Sequence, residues 1–290
     1  MPAVMMDGKA LGMKIRESVK ARSAALREKG IVPCLAVVLV GEDAPSLSYV
    51  KSKEKALAEA GMESLDIRLP EETGEDALLS LIGELNMDKN VHGILVQSPV
   101  PKHIDEDKVT AAVAPEKDVD CFHPVSVGNM VLGRPGFLPC TPHGVLMLLR
   151  EYNVPVSGAN VVVVGRSNIV GKPLANLLIR REYNATVTLC HTGTKDLASH
   201  TRRADILIAA ARNPEFIKPE MVKEGAVVID VGINRVPDSS SPKGYRLCGD
   251  IDPAAAKKAA FYTPVPGGVG PMTIAMLLQN VIEAAERRVK

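Results

Sequence analysis

Residues 161–173, VVVVGRSNIVGKP, constrain the fold more than any other segment. Four consecutive β-branched valines predict a strand that is buried on both faces. Gly165 then permits a sharp turn, and Gly171 with Pro173 predicts a helix start whose free N–H groups point at an anion. The segment therefore predicts the strand-turn-helix unit that holds a dinucleotide pyrophosphate. Ser167 stands where the usual G-x-G-x-x-G pattern has its second glycine, so a strand-turn-helix without a ligand remains an alternative.

Short apolar runs alternate with helical patterns in both halves of the 290-residue chain. This alternation predicts parallel βαβ units. The predicted strands are 34–40, 64–69, 93–97, 161–164, 186–190, 205–210 and 226–231. Helical patterns occur near 46–60 and 74–86, and a Pro- and Gly-rich stretch at 124–142 predicts a linker.

The predicted fold class is α/β with two domains and a cleft between them. One is an N-terminal α/β substrate domain, formed by residues 1–141 with 271–290. The other is a Rossmann-like cofactor domain with a parallel sheet, formed by residues 142–270. The closing segment after residue 273 has the apolar spacing of a helix, which we expect to return to the first domain.

Charge and cysteine usage exclude several classes of protein. Lys and Arg total 35 against 34 for Asp and Glu, without a basic block, so neither nucleic acid nor an anionic membrane is an expected partner. The five cysteines are scattered without metal-ligand spacing, which predicts reduced thiols and no metal site. No apolar run approaches the ~20 residues of a membrane span, and no signal-peptide core is visible, so we expect a cytoplasmic protein.

The residues after the predicted strand 186–190 indicate which dinucleotide binds. NAD-binding folds usually place an acidic residue about 20 positions beyond the glycine turn. No carboxylate occurs here before Asp196, whereas Arg166 could pair with a 2′-phosphate and Thr192 could donate a hydroxyl hydrogen bond. The pattern favours NADP over NAD. A surface salt bridge at Arg166 is the alternative.

Tyr49 and Lys53 lie four residues apart in the helical pattern at 46–60 and therefore share a face. Short-chain dehydrogenases carry a similar Tyr-x-x-x-Lys pair, but there it follows the dinucleotide turn, and here it precedes it. Taken alone, such a pair is more often a packed ring and a lysine whose stem lies along an apolar surface than a catalytic pair.

Four separated segments carry a more specific resemblance. They are VHGILVQSPVP at 91–101, PEKDVD at 115–120, GRSNIVGKP at 165–173 and PVPGGVGPMT at 264–273. Together they resemble the bifunctional methylenetetrahydrofolate dehydrogenase/cyclohydrolase family, and the likeness runs from DGKA at 7–10 to the last helix. The resemblance implies oxidation of 5,10-methylenetetrahydrofolate with NADP, followed by hydrolysis of the methenyl product to 10-formyltetrahydrofolate.

The resemblance also implies roles for individual residues. Lys53 matches the catalytic lysine, Tyr49 the ring that stacks on the aminobenzoate of folate, Gln97 the hydrogen-bond partner of the lysine, and Asp120 the carboxylate that anchors the pterin. Because its carbon flanked by two nitrogens becomes cationic, the folate must be held firmly against the acceptor of the hydride.

On the cofactor side, the resemblance implies a phosphate and ribose turn at Gly165, Arg166 and Ser167, an adenosine contact at Thr192 and a backbone contact near nicotinamide at Ile233. Further substrate contacts are implied at Pro266, Gly267 and Gly268, where a simple tight loop is the alternative. A homodimer formed through the cofactor domain and a supply of one-carbon units to purine, methionine and histidine biosynthesis are also implied.

The chain departs from the family pattern at Ser98, Cys121 and Arg212. The last two stand where the family usually has glycine. A positive φ at Arg212 would strain the backbone beside the cofactor site, and Cys121 could shift the pterin anchor or be a small packed side chain. Two other functions remain open from the residues alone. One is an amino-acid or shikimate-type NADP dehydrogenase, and the other is an NADP-binding protein without catalytic activity.

Overall fold

The computed structural model describes residues 3–41, 44–242 and 244–288, and the side chains of residues 44–51 lie outside this description. The helices are α1 (Gly8–Arg27), α2 (Ala44–Glu59), α3 (Glu75–Met87), α4 (Glu106–Ala112), α5 (Pro124–Val131), α6 (Cys140–Glu151), α7 (Gly171–Leu178), α8 (Leu197–Thr201) and α9 (Val269–Glu286). Two short 3-10 helices cover Pro219–Met221 and Pro253–Lys257.

Seven of the eleven strands in the described residues lie where the apolar runs predict them, and the other four, at 4–5, 234–237, 245–248 and 261–262, are not predicted from the sequence. The strands are β1 (Val4–Met5), β2 (Cys34–Val40), β3 (Glu63–Leu69), β4 (Gly93–Val96), β5 (Asn160–Val164), β6 (Thr186–Cys190), β7 (Ile206–Ala209), β8 (Val227–Asp230), β9 (Asn234–Pro237), β10 (Tyr245–Cys248) and β11 (Phe261–Tyr262). The α/β class and the parallel sheets are confirmed.

The chain divides into two compact units, which differ from the predicted domains at their edges. The six-stranded unit comprises Met1–Gly12 with Thr141–Thr273, and the three-stranded unit comprises Met13–Cys140 with Ile274–Lys290. The sequence predicts residues 1–12 in the substrate domain. They belong to the six-stranded unit because β1 pairs with β11.

The sheet of the six-stranded unit has the order β1-β11-β8-β7-β5-β6, with every pair parallel. Valines of β5 are buried on both faces, as expected for a central strand. β5 lies between β6 and β7, so the chain places β6 on one side of β5 and then returns to place β7 on its other side. Ligands of open α/β sheets bind where the strand order reverses in this way, outside the carboxyl ends of the strands.

The sheet of the three-stranded unit has the order β3-β2-β4, also parallel. All seven residues of β2 are buried, and α3 packs Leu78, Ile82 and Leu85 into the core beside it. Parallel strands of this kind point their carboxyl ends, here Val40 and Val96, to one edge of the sheet.

The linker predicted at 124–142 is wrong for much of its length. Pro124–Val131 form α5, where His123 accepts a hydrogen bond from the N–H of Val125 and Pro124 occupies the first turn. Proline is tolerated there because the N–H it lacks would have no partner within the helix. Cys140 then begins α6.

Candidate active site

Lys53 and Gln97 come together in the three-stranded unit. Lys53 lies on α2 and Gln97 follows β4, and the ammonium Nζ donates to Gln97 Oε1 at 3.0 Å. Gln97 is held on two further sides, since its backbone N–H donates to Val38 O at 2.8 Å and its Nε2 donates to Ser98 O at 2.9 Å. The hydrogen bond from Gln97 Nε2 to Ser98 O orients the side-chain amide, so that its oxygen, an acceptor, faces the Lys53 donor.

Asp120 lies in a turn that is anchored from several sides. The buried Lys117 donates to the carbonyl oxygens of Leu85 and Asp88, both at 2.6 Å. The Asp118 carboxylate accepts the N–H groups of the two residues at 122 and 123, at 3.1 and 2.8 Å. These bonds fix the backbone on both sides of Asp120.

The Asp120 carboxylate is partly buried and lies near one positive group, Lys53, and one negative group, Asp118. Burial raises its pKa, and the Lys53 ammonium acts in the opposite direction. The Cys140 thiol donates to Asp120 Oδ1 at 3.3 Å, which also favours the ionised form. The structure therefore groups three of the predicted folate residues, Lys53, Gln97 and Asp120, in one unit. The side chain of Tyr49, the fourth, lies outside the described residues.

The dinucleotide turn at 165–171 has the geometry that its glycines predict. Gly165 has φ +122°, and a Cβ at this position would overlap the carbonyl oxygen of Ala210. A Cβ at Gly171 would overlap the carbonyl oxygen of Gly165. Ser167 Oγ accepts the N–H groups of Val170 at 3.2 Å and Gly171 at 3.4 Å. Glycines are therefore required at both ends of the turn, where the backbone passes too close for a Cβ, and a serine hydroxyl binds the backbone inside it.

Arg166 and Thr192 lie at the ends of neighbouring strands. β5 pairs with β6, and the N–H of Gly165 donates to Cys190 O at 2.9 Å, so the two segments leave the sheet side by side. Both side chains are exposed. Among the described residues no carboxylate pairs with Arg166, so its guanidinium has no salt-bridge partner there.

A second loop at the carboxyl edge of the sheet is held by Asp250. Its Oδ2 accepts the N–H groups of Ala211 at 2.6 Å and Arg212 at 3.0 Å, and its Oδ1 accepts that of Asn213 at 2.9 Å. Arg212 has φ +56° and an exposed side chain. At this departure from the family pattern, a non-glycine residue therefore occupies the left-handed region that favours glycine.

The remaining predicted residues also lie in the six-stranded unit. Ile233 follows β8 and is 41% exposed, and Pro266 is exposed as well. Gly267 has φ +115°, a backbone conformation that glycine adopts readily. A Cβ at Gly268 would lie 2.7 Å from Pro264 O, so the loop's own packing already requires this glycine.

Several residues that shape these sites were not singled out from the sequence. They are Cys140, Asp230, Asp250 and Asn280. Asp230 accepts the N–H groups of Gly232, Asp250 and Ile251, and its burial raises its pKa to about 7. Each of these residues acts on partners far away in the chain, so no local spacing marks it.

In the part of the chain that the structure describes, no group of three or more His, Cys, Asp or Glu side chains could hold a metal ion. Within the same residues, no helix has both the length and the apolar character needed to cross a membrane.

Comparison with known proteins identifies the family. Residues 6–120 match the model of the tetrahydrofolate dehydrogenase/cyclohydrolase catalytic domain, and residues 139–289 match that of the NAD(P)-binding domain of the same family. The chain is 58% identical to the bifunctional protein FolD of Exiguobacterium sibiricum, over 98% of this chain and 100% of the relative.

Solved structures agree with this match. FolD from Campylobacter jejuni, a methylenetetrahydrofolate dehydrogenase/cyclohydrolase, has 49% identity and a TM-score of 0.94 over 99% of both chains. FolD from Trypanosoma brucei, solved with NADP cofactor and an inhibitor, has 41% identity and a TM-score of 0.95 over 100% of both chains. The chain belongs to the tetrahydrofolate dehydrogenase/cyclohydrolase family.

Proposed function

We propose that this protein oxidises 5,10-methylenetetrahydrofolate to 5,10-methenyltetrahydrofolate with NADP and then hydrolyses the product to 10-formyltetrahydrofolate. The observation that carries the proposal is the Lys53 amine, bound to Gln97 and electrostatically coupled to Asp120, in a chain that matches bifunctional FolD over nearly its whole length. Neither a dehydrogenase acting on another substrate nor a silent NADP-binding protein accounts for this combination.

In the oxidation, the chain's residues bind and orient the folate. The Asp120 carboxylate accepts hydrogen bonds from the donor edge of the pterin, and the ring of Tyr49 stacks on the aminobenzoate. Positive charge then develops at the carbon between the two folate nitrogens as the hydride leaves. Holding that carbon in place is the main catalytic demand, because rate depends on alignment of the reacting atoms.

In the hydrolysis, Lys53 moves the proton. Water adds to the methenyl carbon, one proton is released, and the bond from that carbon to one folate nitrogen breaks as the nitrogen gains a proton. In its neutral form the Lys53 amine can accept the proton of the attacking water, and as the ammonium it can then donate that proton to the folate nitrogen. Gln97 Oε1 holds the Lys53 nitrogen during this exchange.

The six-stranded unit fits NADP. The Gly165–Gly171 turn leaves no room for side chains at its ends. The Arg166 guanidinium, which has no salt-bridge partner among the described residues, and the exposed Thr192 hydroxyl suit a 2′-phosphate. When bound, NADP accepts the hydride. Ile233, Pro266 and Gly267 complete the proposed cofactor and substrate contacts.

We further propose that the enzyme works in the cytoplasm as a homodimer formed through the cofactor domain, and that its product supplies purine, methionine and histidine biosynthesis. Membership of the family supports this proposal. Sedimentation equilibrium of the purified protein tests the dimer, and a molecular mass of one chain, 30.9 kDa, at micromolar concentration would contradict it.

One assay tests both activities. The purified protein is mixed with 5,10-methylenetetrahydrofolate and NADP, and the absorbance of NADPH and of the methenyl product is followed. We expect NADPH to form and the methenyl absorbance then to decay. Absence of NADPH would contradict the dehydrogenase, whereas methenyl product that persists at its spontaneous decay rate would contradict the cyclohydrolase alone.

Lys53→Met tests the assignment of the proton carrier, and Lys55→Met is the matched control on the same helix. Lys55 is exposed and pairs with Glu59 at 3.8 Å. We expect Lys53→Met to abolish hydrolysis of added methenyltetrahydrofolate while the Kd for NADP stays unchanged, because the nucleotide turn is intact. Hydrolysis at the rate of the Lys55→Met control would rule out this role for Lys53.

A further inference from the structure

The Cys140 thiol contacts the carboxylate that we assign to pterin binding. Cys140 is the first residue of α6, is 5% exposed, and places its Sγ 3.3 Å from Asp120 Oδ1 and 3.6 Å from Val119 O. A thiol has one hydrogen to donate. The surroundings of the two acceptors decide which of them receives it.

Asn280 on α9 satisfies the competing acceptor. Its Nδ2 donates to Val119 O at 2.7 Å and to Leu138 O at 2.9 Å, which uses both hydrogens of the amide. The same nitrogen lies 3.7 Å from Cys140 Sγ. Because Val119 O already has a short hydrogen bond, the thiol hydrogen is directed to the nearer and charged oxygen of Asp120.

The Cys140 thiol stays protonated, and therefore a donor, near neutral pH. Burial and the neighbouring Asp120 carboxylate raise the pKa of the thiol well above its ordinary value. The side chain therefore keeps its hydrogen. Three other groups act on Asp120 or respond to its charge. Lys53 lowers the pKa of Asp120 and Asp118 raises it, and the pKa of the Cys121 thiol is raised by burial and further by the two aspartates.

We propose that Cys140 is a positioning residue for folate binding. Its S–H bond to Oδ1 fixes the plane of the Asp120 carboxylate and favours the ionised form, so that the remaining lone pairs accept the pterin donors in one orientation. The proposal rests on the role proposed above for Asp120. It extends that role to a residue that itself need not touch the substrate.

The test compares Cys140→Ala and Cys140→Ser with Cys34→Ala. Cys34 is a buried thiol of β2 in the same unit and makes no hydrogen bond to Asp120 among the described residues, so it controls for the loss of a buried sulfur. For each variant, kcat, the KM of methylenetetrahydrofolate, the KM of NADP and the pH dependence of kcat/KM are measured, with Tm as a check of folding.

We expect Cys140→Ala to raise the KM of the folate by roughly ten-fold, the usual effect of losing a hydrogen bond to a charged group, and to leave the KM of NADP unchanged. The acid limb of kcat/KM should move to higher pH, because a carboxylate without this donor is protonated more readily. Cys140→Ser retains a donor and should recover most of the folate KM and the wild-type acid limb.

Equal kinetics for Cys140→Ala and Cys34→Ala would overturn the proposal, as would an unshifted acid limb. If Cys140→Ala does not fold, Cys140→Ser decides the question, since a folded serine variant with the kinetics of Asp120→Ala would also overturn it. These outcomes differ from failure of the proposed function, in which the wild-type protein would itself form no NADPH with methylenetetrahydrofolate.

Discussion

At the scale of single residues, two non-glycine residues sit in the left-handed region where the family pattern has glycine. Arg212 has φ +56° and Cys121 has φ +60°. Their surroundings differ, because Arg212 is exposed and Cys121 is fully buried. The same backbone conformation therefore has opposite consequences for a return to glycine at the two positions.

Arg212→Gly should stabilise the protein by about 0.5–1 kcal/mol, because it relieves the strain of the left-handed conformation and removes no buried contact. Cys121→Gly should destabilise it by about 1 kcal/mol, because the loss of a buried side chain exceeds the strain relieved. Urea unfolding of both variants measures the difference. Equal changes of the same sign would show that φ alone governs these positions.

Arg166 should determine the choice between NADP and NAD. Its guanidinium has no salt-bridge partner among the described residues and lies beside the segment that carries Thr192. Arg166→Gln should lower kcat/KM for NADP by about 10- to 100-fold and change that for NAD little, because only the 2′-phosphate contact is lost. Arg181→Gln, an exposed arginine in the same unit, is the control. A parallel loss with both nucleotides would contradict the assignment.

At the scale of elements, the turn between β5 and α7 shows why its departure from G-x-G-x-x-G is compatible with function. Ser167 occupies the position of the second glycine, and its Oγ accepts two N–H groups at the start of α7. A glycine could not make these bonds. The serine therefore satisfies two backbone donors where the turn meets α7, although Val170 and not Ser167 is the N-cap residue.

Gly165→Ala should disrupt this turn. A Cβ there would overlap Ala210 O on the neighbouring loop, and φ +122° is accessible almost only to glycine. We expect a loss of about 2–4 kcal/mol in stability and no measurable NADP binding by calorimetry. Gly158→Ala is the control, because Gly158 has φ +75° with nothing within 4 Å of a Cβ, so it reports backbone strain without a clash. NADP binding retained in Gly165→Ala would show that the turn adapts.

At the scale of the whole molecule, a neutral buried histidine should make stability depend on pH. His92 is 5% exposed, and its Nδ1 accepts the N–H of Cys34 at 3.2 Å. Burial, reinforced by the nearby Arg288 and Lys117 charges, lowers its pKa to about 4. The unfolded chain binds a proton at His92 below pH ~6.5, whereas the folded chain binds it only near pH 4. The free energy of unfolding therefore decreases as pH falls from ~6.5 to about 4.

His92→Asn should remove up to about 3 kcal/mol of the pH dependence of the unfolding free energy between pH 6.5 and 4, because asparagine does not titrate. His103→Asn, the same substitution at an exposed position, is the control. Urea midpoints at several pH values measure the slope. A His92→Asn protein with the wild-type slope would show that other groups control the acid sensitivity.

Much of the fold followed from local pattern. The strands 161–164 and 186–190 and the glycine turn between β5 and α7 lie where periodicity and residue type predicted them, because strands and tight turns depend on neighbours in sequence. The domain edges at residues 1–12 and the helix α5 did not follow. β1 is defined by its pairing with β11, some 257 positions away, and α5 lies in a stretch whose prolines and glycines are typical of loops.

The sequence by itself determined the parallel α/β architecture, the nucleotide turn and, through the resemblance, the set Lys53, Gln97 and Asp120. Only the tertiary structure decided how these side chains are held. Three hydrogen bonds show this, each between residues 20 to 44 positions apart in the chain. They join Lys53 to the Gln97 amide oxygen, the Cys140 thiol to Asp120, and the backbone N–H of Arg212 to the Asp250 carboxylate. Such bonds form only when folding brings distant segments to the same edge of a sheet, and burial then gives them their electrostatic effect.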